Sequence, residues 1–323
     1  MAFNLLIVRG PASAGQSAID AWPAELRAAI PGITVNVATS EGEAMEMIGE
    51  ADAAFGDIRP ELLARGEKLR WIACPQAGPP AGYYHGELVD SDVVVTNTRE
   101  IYNDHISNHI MSFVLSFARG LHVYVQQQMR GDWAPGYEIV NLPDATAIIV
   151  GVGGIGAETA RLCSEFGMNV LDIDPRVTDP PQGVAELHNS EALGELLPRA
   201  DFVIATAPET PATQGMFNAD LFGRMNPGAH FINIGRGATV ILDDLVDALT
   251  SGKIRGAALD VFQVEPLPSN HALWSMPNVI ITPHCAGAGP YLDDRRLELF
   301  IDNCTRFNEG QTLLNVVDKA NWF

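Results

Sequence analysis

Short β-branched runs alternate with helix-length amphipathic segments along nearly all of this chain, and that alternation limits the fold more than any other feature. Residues 5–8, 35–37, 71–73 and 93–96 read as strands separated by longer helical stretches. Parallel strands need crossovers of about a dozen residues, usually helices, so the pattern implies parallel α/β sheets. From Asn97 onward the rhythm changes. Ile106, Ile110, Phe113, Val114, Phe117, Leu121 and Val125 recur at helical spacing and predict one unusually long helix. A second series follows, with strands at 147–150, 170–173, 202–205, 231–234, 257–259 and 279–282. Six strands with intervening helices suggest a complete doubly wound sheet. An amphipathic segment over 290–308, carrying Leu292, Leu297, Leu299, Phe300 and Cys304, is placed to return to the first half. The expected organisation is one discontinuous domain, 1–98 plus 288–323, interrupted by a second at 99–287, with crossovers near 99 and 287. No internal repeat or low-complexity stretch adds to it.

Composition narrows the function. The 323 residues carry a formal net charge of -20, which opposes binding to a nucleic acid. Three lysines (Lys68, Lys253, Lys319) stand against seventeen arginines, a bias that genome composition accounts for more readily than adaptation to salt. Cys74, Cys163, Cys285 and Cys304 are scattered with no CxxC, so neither a zinc site nor a disulfide scaffold is expected, and no metal is assigned. A reducing, cytoplasmic setting fits that usage. The opening MAFNLLIVRG reads as a strand rather than a secretory signal, and the most apolar stretch, 145–157, holds four glycines and is too short to cross a bilayer.

Directly after the strand ATAIIV comes GVGGIG, and directly after that ETARLCSEFG. In this strand-to-helix setting Gly151 permits the tight turn, Gly153 lets backbone approach a pyrophosphate, and Gly156 brings helix and strand together. Gly154 and Ile155 open the helix whose amino terminus would hold the anion. The next strand ends in Asp174, eighteen residues beyond Gly156, near the offset of a carboxylate that binds the adenosine ribose hydroxyls. That favours NAD over NADP, since a carboxylate repels a 2′-phosphate, although Arg176 lies two residues on and partly offsets it. Asp172, two residues earlier, reads as a surface or packing charge rather than as the ribose ligand.

Arg236, Glu265 and His284 each follow an expected strand of this second half, where ligand crevices form beyond strand carboxyl ends. Reduction of a 2-oxo acid requires a cation for the substrate carboxylate and carbonyl, and an acid that protonates the new alkoxide. Arg236 can grip a carboxylate with two parallel hydrogen bonds. His284 can exchange a proton near neutral pH, oriented by Glu265.

With these residues in view, the chain resembles the D-isomer-specific 2-hydroxyacid dehydrogenases, the NAD-dependent group that includes glyoxylate and hydroxypyruvate reductases. The likeness lies in GVGGIGAETARLCSEFGMNVLDIDP, in GAHFINIGRGATVILDDLVDALTSGKIRGAALDVFQVEPLP and in NVIITPHCAG. It implies two Rossmann-like domains, the first flavodoxin-like and completed by the carboxyl-terminal helix. It further implies Arg236 as the substrate carboxylate and carbonyl ligand, His284 as acid/base, and Glu265 as its partner. Asp260 would contact the nicotinamide carboxamide, Pro208 would lie beneath the cofactor, and the loop of Gln76, Ala77 and Gly78 would meet the substrate carboxylate. A homodimer through the region 100–145 is implied, with a small 2-oxo or 2-hydroxy acid as substrate.

Several positions depart from the pattern. Pro79 after Gly78 has no N–H to offer. Asn108 replaces a common glutamate, and Tyr102 and His105 replace residues often seen as histidine and proline; Tyr102 is a candidate substrate contact. Ala288 and Gly289 stand where threonine is common after the histidine block. Glu265 argues against formate oxidation, for which the resembling enzymes pair the histidine with glutamine. The other class of function consistent with the residues is a dinucleotide-sensing, corepressor-like interaction protein, although the chain has no long disordered tail or basic patch to match it.

Overall fold

The computed structural model describes residues 3–9 and 16–322, which form two compact units: Met1–Ile101 with Gly289–Phe323, and Tyr102–Ala288. Among the described residues no helix is long and apolar enough to cross a membrane.

The first unit is built on β1 (Asn4–Val8), β2 (Thr34–Ala38), β3 (Ala53–Phe55), β4 (Trp71–Ala73) and β5 (Val94–Thr96), all parallel, in the order β2-β1-β3-β4-β5. This is the flavodoxin-like order, and both faces of the sheet are covered, which explains why the strands read as continuous apolar runs. β3 is a fifth strand absent from the sequence reading; its AAF carries no β-branched residue. The helix Leu292–Glu309 completes the unit. Its Phe300 packs among Phe55, Trp22 and Trp71 with ring centroids 5.0, 5.7 and 5.8 Å away. The segment beyond it returns along β5, where the Val317 N–H donates to the Val95 carbonyl.

The second unit carries β6 (Thr146–Val150), β7 (Asn169–Ile173), β8 (Glu186–His188), β9 (Phe202–Ala205), β10 (His230–Asn233), β11 (Gly256–Leu259) and β12 (Val279–Ile281). All pair in parallel, in the order β8-β7-β6-β9-β10-β11-β12. The chain reverses direction of travel across the sheet between β6 and β9, the switch point at which doubly wound sheets bind ligands. Seven strands rather than six are present, because the half-exposed edge strand β8 escapes the apolar pattern.

The long helix is corrected by the structure. It runs Asn103–Arg119, stops at Gly120 in the left-handed region (φ 71°), and is followed by a separate helix, Leu121–Arg130. A Cβ on Gly120 would stand 2.5 Å from the Tyr137 ring, so both conformation and packing require glycine there. Ile110, Phe113, Val114 and Phe117 are buried in a core shared with the helix Gly154–Glu165, whereas Leu121 and Val125 are exposed.

Candidate active site

The glycine turn has the geometry of an anion cradle. Gly151 sits at φ +96° with Ala207 backbone 2.6 Å from where a Cβ would be, and a Cβ on Gly156 would lie 2.1 Å from the Gly151 carbonyl. By contrast, a Cβ on Gly153 would meet nothing within 4 Å, so that position faces open space. Gly153 caps the helix Gly154–Glu165 without a side-chain hydrogen bond, and the first turn has no acidic residue. The N–H groups and positive dipole end at Gly154 and Ile155 are therefore not neutralised by the helix itself. These features fit a dinucleotide pyrophosphate.

Asp174 is buried at the end of β7. Its Oδ2 accepts the Val152 N–H (2.8 Å) and its Oδ1 accepts the Arg176 N–H (2.9 Å), while the Arg176 guanidinium lies 3.3 Å away. Burial alone would raise its pKa, but these donors more than compensate and hold it below the usual carboxylate value. It stays ionised. Asp172 is not a surface charge: it is fully buried two residues before Asp174 on β7, where strand alternation puts both positions on one face, and neither oxygen meets a donor among the described residues. Burial, with the Asp174 charge adding, raises its pKa to about 7.

Arg236 lies in the turn after β10, held on both sides by buried Asn233. The Asn233 Oδ1 accepts the Gly235 N–H (3.0 Å) and its Nδ2 donates to the Arg236 carbonyl (3.1 Å). Close approach fixes the turn further: a Cβ on Gly237 would fall 1.9 Å from the Phe262 carbonyl carbon. The Arg236 Nη1 donates to the Gly235 carbonyl (2.6 Å), and burial lowers the guanidinium pKa against the opposing pull of Glu209 and Glu265.

Glu265 and His284 meet. The His284 Nδ1 is 2.7 Å from Glu265 Oε2, and Glu265 Oε1 accepts the Phe262 N–H at 2.8 Å. An ionised carboxylate is acceptor only, so Nδ1 carries the proton and Nε2 is the atom left to exchange one with a ligand. His284 adopts a left-handed backbone (φ 51°), uncommon for a side-chain-bearing residue, with its N–H shared between the Asp260 and Thr282 carbonyls. Asp260, buried at the end of β11, accepts from Thr282 Oγ1 (2.5 Å) and the Cys285 N–H (2.9 Å) at Oδ1, and from the Ala286 N–H (2.9 Å) at Oδ2. His109, Asp260 and Cys285 bring potential metal ligands within 4.8 Å of one another, but both Asp260 oxygens are engaged by those hydrogen bonds.

The remaining sequence candidates are spread more widely. Pro208 follows β9, and its carbonyl accepts from Thr213 Oγ1 at 2.7 Å. Tyr102 precedes the long helix, its ring 3.5 Å from a Cβ position on Gly287. His105 is half-buried and Asn108 exposed. In the first unit Ala77 and Gly78 are half-buried after β4, and Asn97 Nδ2 donates to the Ala77 carbonyl (2.9 Å). Sequence reasoning missed Asn233, Gly237, Thr282 and His109. The signal for the first two was the pair of glycines flanking Arg236; for His109 it was a polar residue between Ile106 and Ile110 on an otherwise apolar face.

Residues 111–286, more than half of the chain, match the family described as D-isomer specific 2-hydroxyacid dehydrogenase, NAD binding domain. The chain belongs to the D-isomer specific 2-hydroxyacid dehydrogenase family. A glyoxylate/hydroxypyruvate reductase A from Serratia proteamaculans is 34% identical over 215 residues, which are 66% of this chain and 67% of that one. Among solved structures, a D-isomer specific 2-hydroxyacid dehydrogenase from Xanthobacter autotrophicus Py2 in complex with NADPH and MES superposes with a TM-score of 0.87 at 29% identity, over 99% of this chain and 100% of that one. The NADPH-dependent glyoxylate/hydroxypyruvate reductase of Sinorhizobium meliloti, in complex with NADP and sulfate, gives 0.83 at 27% identity, over 99% and 100%. This chain is thus an oxidoreductase of the 2-hydroxyacid dehydrogenase type with a nicotinamide dinucleotide cofactor.

Proposed function

We propose that this dehydrogenase reduces a small 2-oxo acid to the D-2-hydroxy acid, reversibly, with NADH preferred to NADPH. The observation that carries the reading is the 2.7 Å His284–Glu265 pair, in the same unit as Arg236 and the glycine cradle. When bound, the cofactor supplies the hydride. Arg236 takes the substrate carboxylate and polarises the adjacent carbonyl. His284 Nε2 delivers a proton to the forming alkoxide, and Glu265 accepts the Nδ1–H and stabilises the charge on the ring. Asp260 is read as the carboxamide contact and Pro208 as part of the floor beneath the cofactor. Ala77, Gly78 and Tyr102 are read as substrate contacts. On the same reading Tyr102–Ala288 is the dinucleotide domain, and Met1–Ile101 with Gly289–Phe323 the substrate domain.

The NADH preference rests on Asp174, an ionised carboxylate where a 2′-phosphate would approach. Two solved relatives bind NADP or NADPH, so both cofactors belong in the assay. The Serratia relative's name points to glyoxylate and hydroxypyruvate as first substrates. A homodimer is supported by Leu121, Val125 and Met129, exposed at four-residue spacing on one helix, and by Trp133, which is 99% exposed. A cytoplasmic setting is supported by four cysteines, none in a disulfide.

The test is loss of NADH or NADPH absorbance with glyoxylate, hydroxypyruvate, pyruvate and phenylpyruvate. Turnover on at least one, abolished in His284→Ala, is the expected result. Silence across the panel with cofactor binding intact would overturn the assignment. Sedimentation of the protein and of Val125→Asp tests the dimer; a wild-type monomer at micromolar concentration would refute it.

A further inference from the structure

His109 lies on the long helix, remote in sequence from Arg236, Glu265 and His284, yet it meets the histidine loop. Its Nε2 is 3.1 Å from Thr282 Oγ1, and its ring packs edge-on against Phe113 with centroids 4.6 Å apart. Proton accounting orders the chain of bonds. Thr282 has one hydroxyl proton, and at 2.5 Å that proton points to the carboxylate oxygen Asp260 Oδ1. The remaining lone pairs of Oγ1 face His109, so Nε2 must be the donor. The relay therefore runs His109 Nε2–H to Thr282, Thr282 O–H to Asp260, and Asp260 to the N–H groups of Cys285 and Ala286, the two residues after His284.

Asp260 sits at the centre of this arrangement. Its carboxylate is buried, and its carbonyl also accepts the His284 N–H (2.9 Å). Rotation of its side chain would release both N–H groups that hold the left-handed turn at His284. Thr282 supplies one of the three side-chain bonds that oppose such rotation, and its hydroxyl is directed toward Asp260 because His109 occupies its other side.

We propose that His109 is a positioning residue for the reaction: through Thr282 it locks Asp260 in the rotamer that holds the His284 turn. The inference rests on the reading of His284 as the proton-exchanging group, so its test includes a measurement that does not need turnover. Amide hydrogen exchange, followed by mass spectrometry on peptides covering Cys285 and Ala286, reads the lock directly. His109→Leu and the near-isosteric Thr282→Val should each speed that exchange about tenfold or more, whereas His109→Gln, which keeps an N–H donor, should stay within about threefold of wild type. The double variant His109→Leu/Thr282→Val should be no worse than either single one, since both cut the same relay. In turnover, kcat should fall in parallel with the exchange effect, while the affinity for ADP-ribose, which lacks the carboxamide read onto Asp260, moves less than about threefold, because the glycine cradle and Asp174 are untouched.

Unchanged exchange in His109→Leu would overturn the proposal. So would equal damage in His109→Leu and His109→Gln, which would assign the effect to ring packing on Phe113. If wild type reduces none of the 2-oxo acids but the exchange pattern holds, the proposed reaction fails and the positioning role stands.

Discussion

Asp172 titrates where the fold has no solvent to offer it. The carboxyl is fully buried on β7, neither oxygen meets a donor among the described residues, and its pKa is raised from 3.8 to about 7. Each factor of ten in proton affinity is worth about 1.4 kcal/mol, so the gap amounts to ~4 kcal/mol of destabilisation once the group is ionised in both states. The sign follows from proton counting. Between these values the native state binds more protons than the unfolded chain, so stability falls as pH rises and levels off above about pH 8. At about pH 5.5 the penalty is already ~2 kcal/mol, because the unfolded chain gains by ionising; near pH 8.5 it reaches ~4 kcal/mol. Asp172→Ala removes the titration and adds only a pH-independent packing loss. Urea unfolding of both proteins at one protein concentration, without cofactor, should show the variant gaining ~2 kcal/mol on wild type between about pH 5.5 and 8.5. All other titrating groups cancel in that comparison. A stability difference constant to within ~0.5 kcal/mol across the range would refute the reasoning.

Gly237→Ala should lower kcat/KM well over tenfold with secondary structure retained, since its Cβ would collide with the Phe262 carbonyl carbon and displace both Arg236 and the Phe262 N–H that holds Glu265; unaltered kinetics would show the turn to be adaptable. His284→Ala should reduce kcat by about 10²- to 10⁴-fold and leave NADH binding, measured by calorimetry, within about threefold. Arg236→Lys should not restore activity to wild type, because an ammonium offers no planar fork; a loss of ~3 kcal/mol in kcat/KM is expected, and full activity would exclude bidentate binding. Asp174→Ala should narrow the NADH to NADPH ratio of kcat/KM, and an unchanged ratio would remove that carboxylate from cofactor choice.

The sheets and the glycine turn are legible in the sequence because each rests on a local rule: apolar runs for buried parallel strands, glycines where backbone must approach backbone. The same logic explains what was missed. β3 has only three residues, two of them alanine, and β8 lies half-exposed at a sheet edge, so neither carries the apolar β-branched pattern. The break at Gly120 was hidden because Leu121 and Val125 continue the helical period while facing outward, a pattern that position in sequence cannot distinguish from burial. Asp172 illustrates the complementary failure. It reads equally as a surface or a packing charge, because whether its side of the strand meets water or a packed helix depends on tertiary structure. That Arg236, Glu265 and His284 follow strands, and that the last two meet, was readable in the sequence; Thr282 and His109 act through contacts distant in sequence.

The contact between Gly237 and Phe262 makes the Arg236 turn and the Glu265 loop mechanically one piece, to which His284 is joined by its bond to Glu265. A change that shifted one of these groups would shift the others, so, on the proposed reading, selection acting on proton transfer meets a single inherited block. On the proposed reading, tolerance for new substrates arises outside that block, in segments such as 75–79. Lineages of this fold can diversify in what they accept while their chemistry stays unchanged.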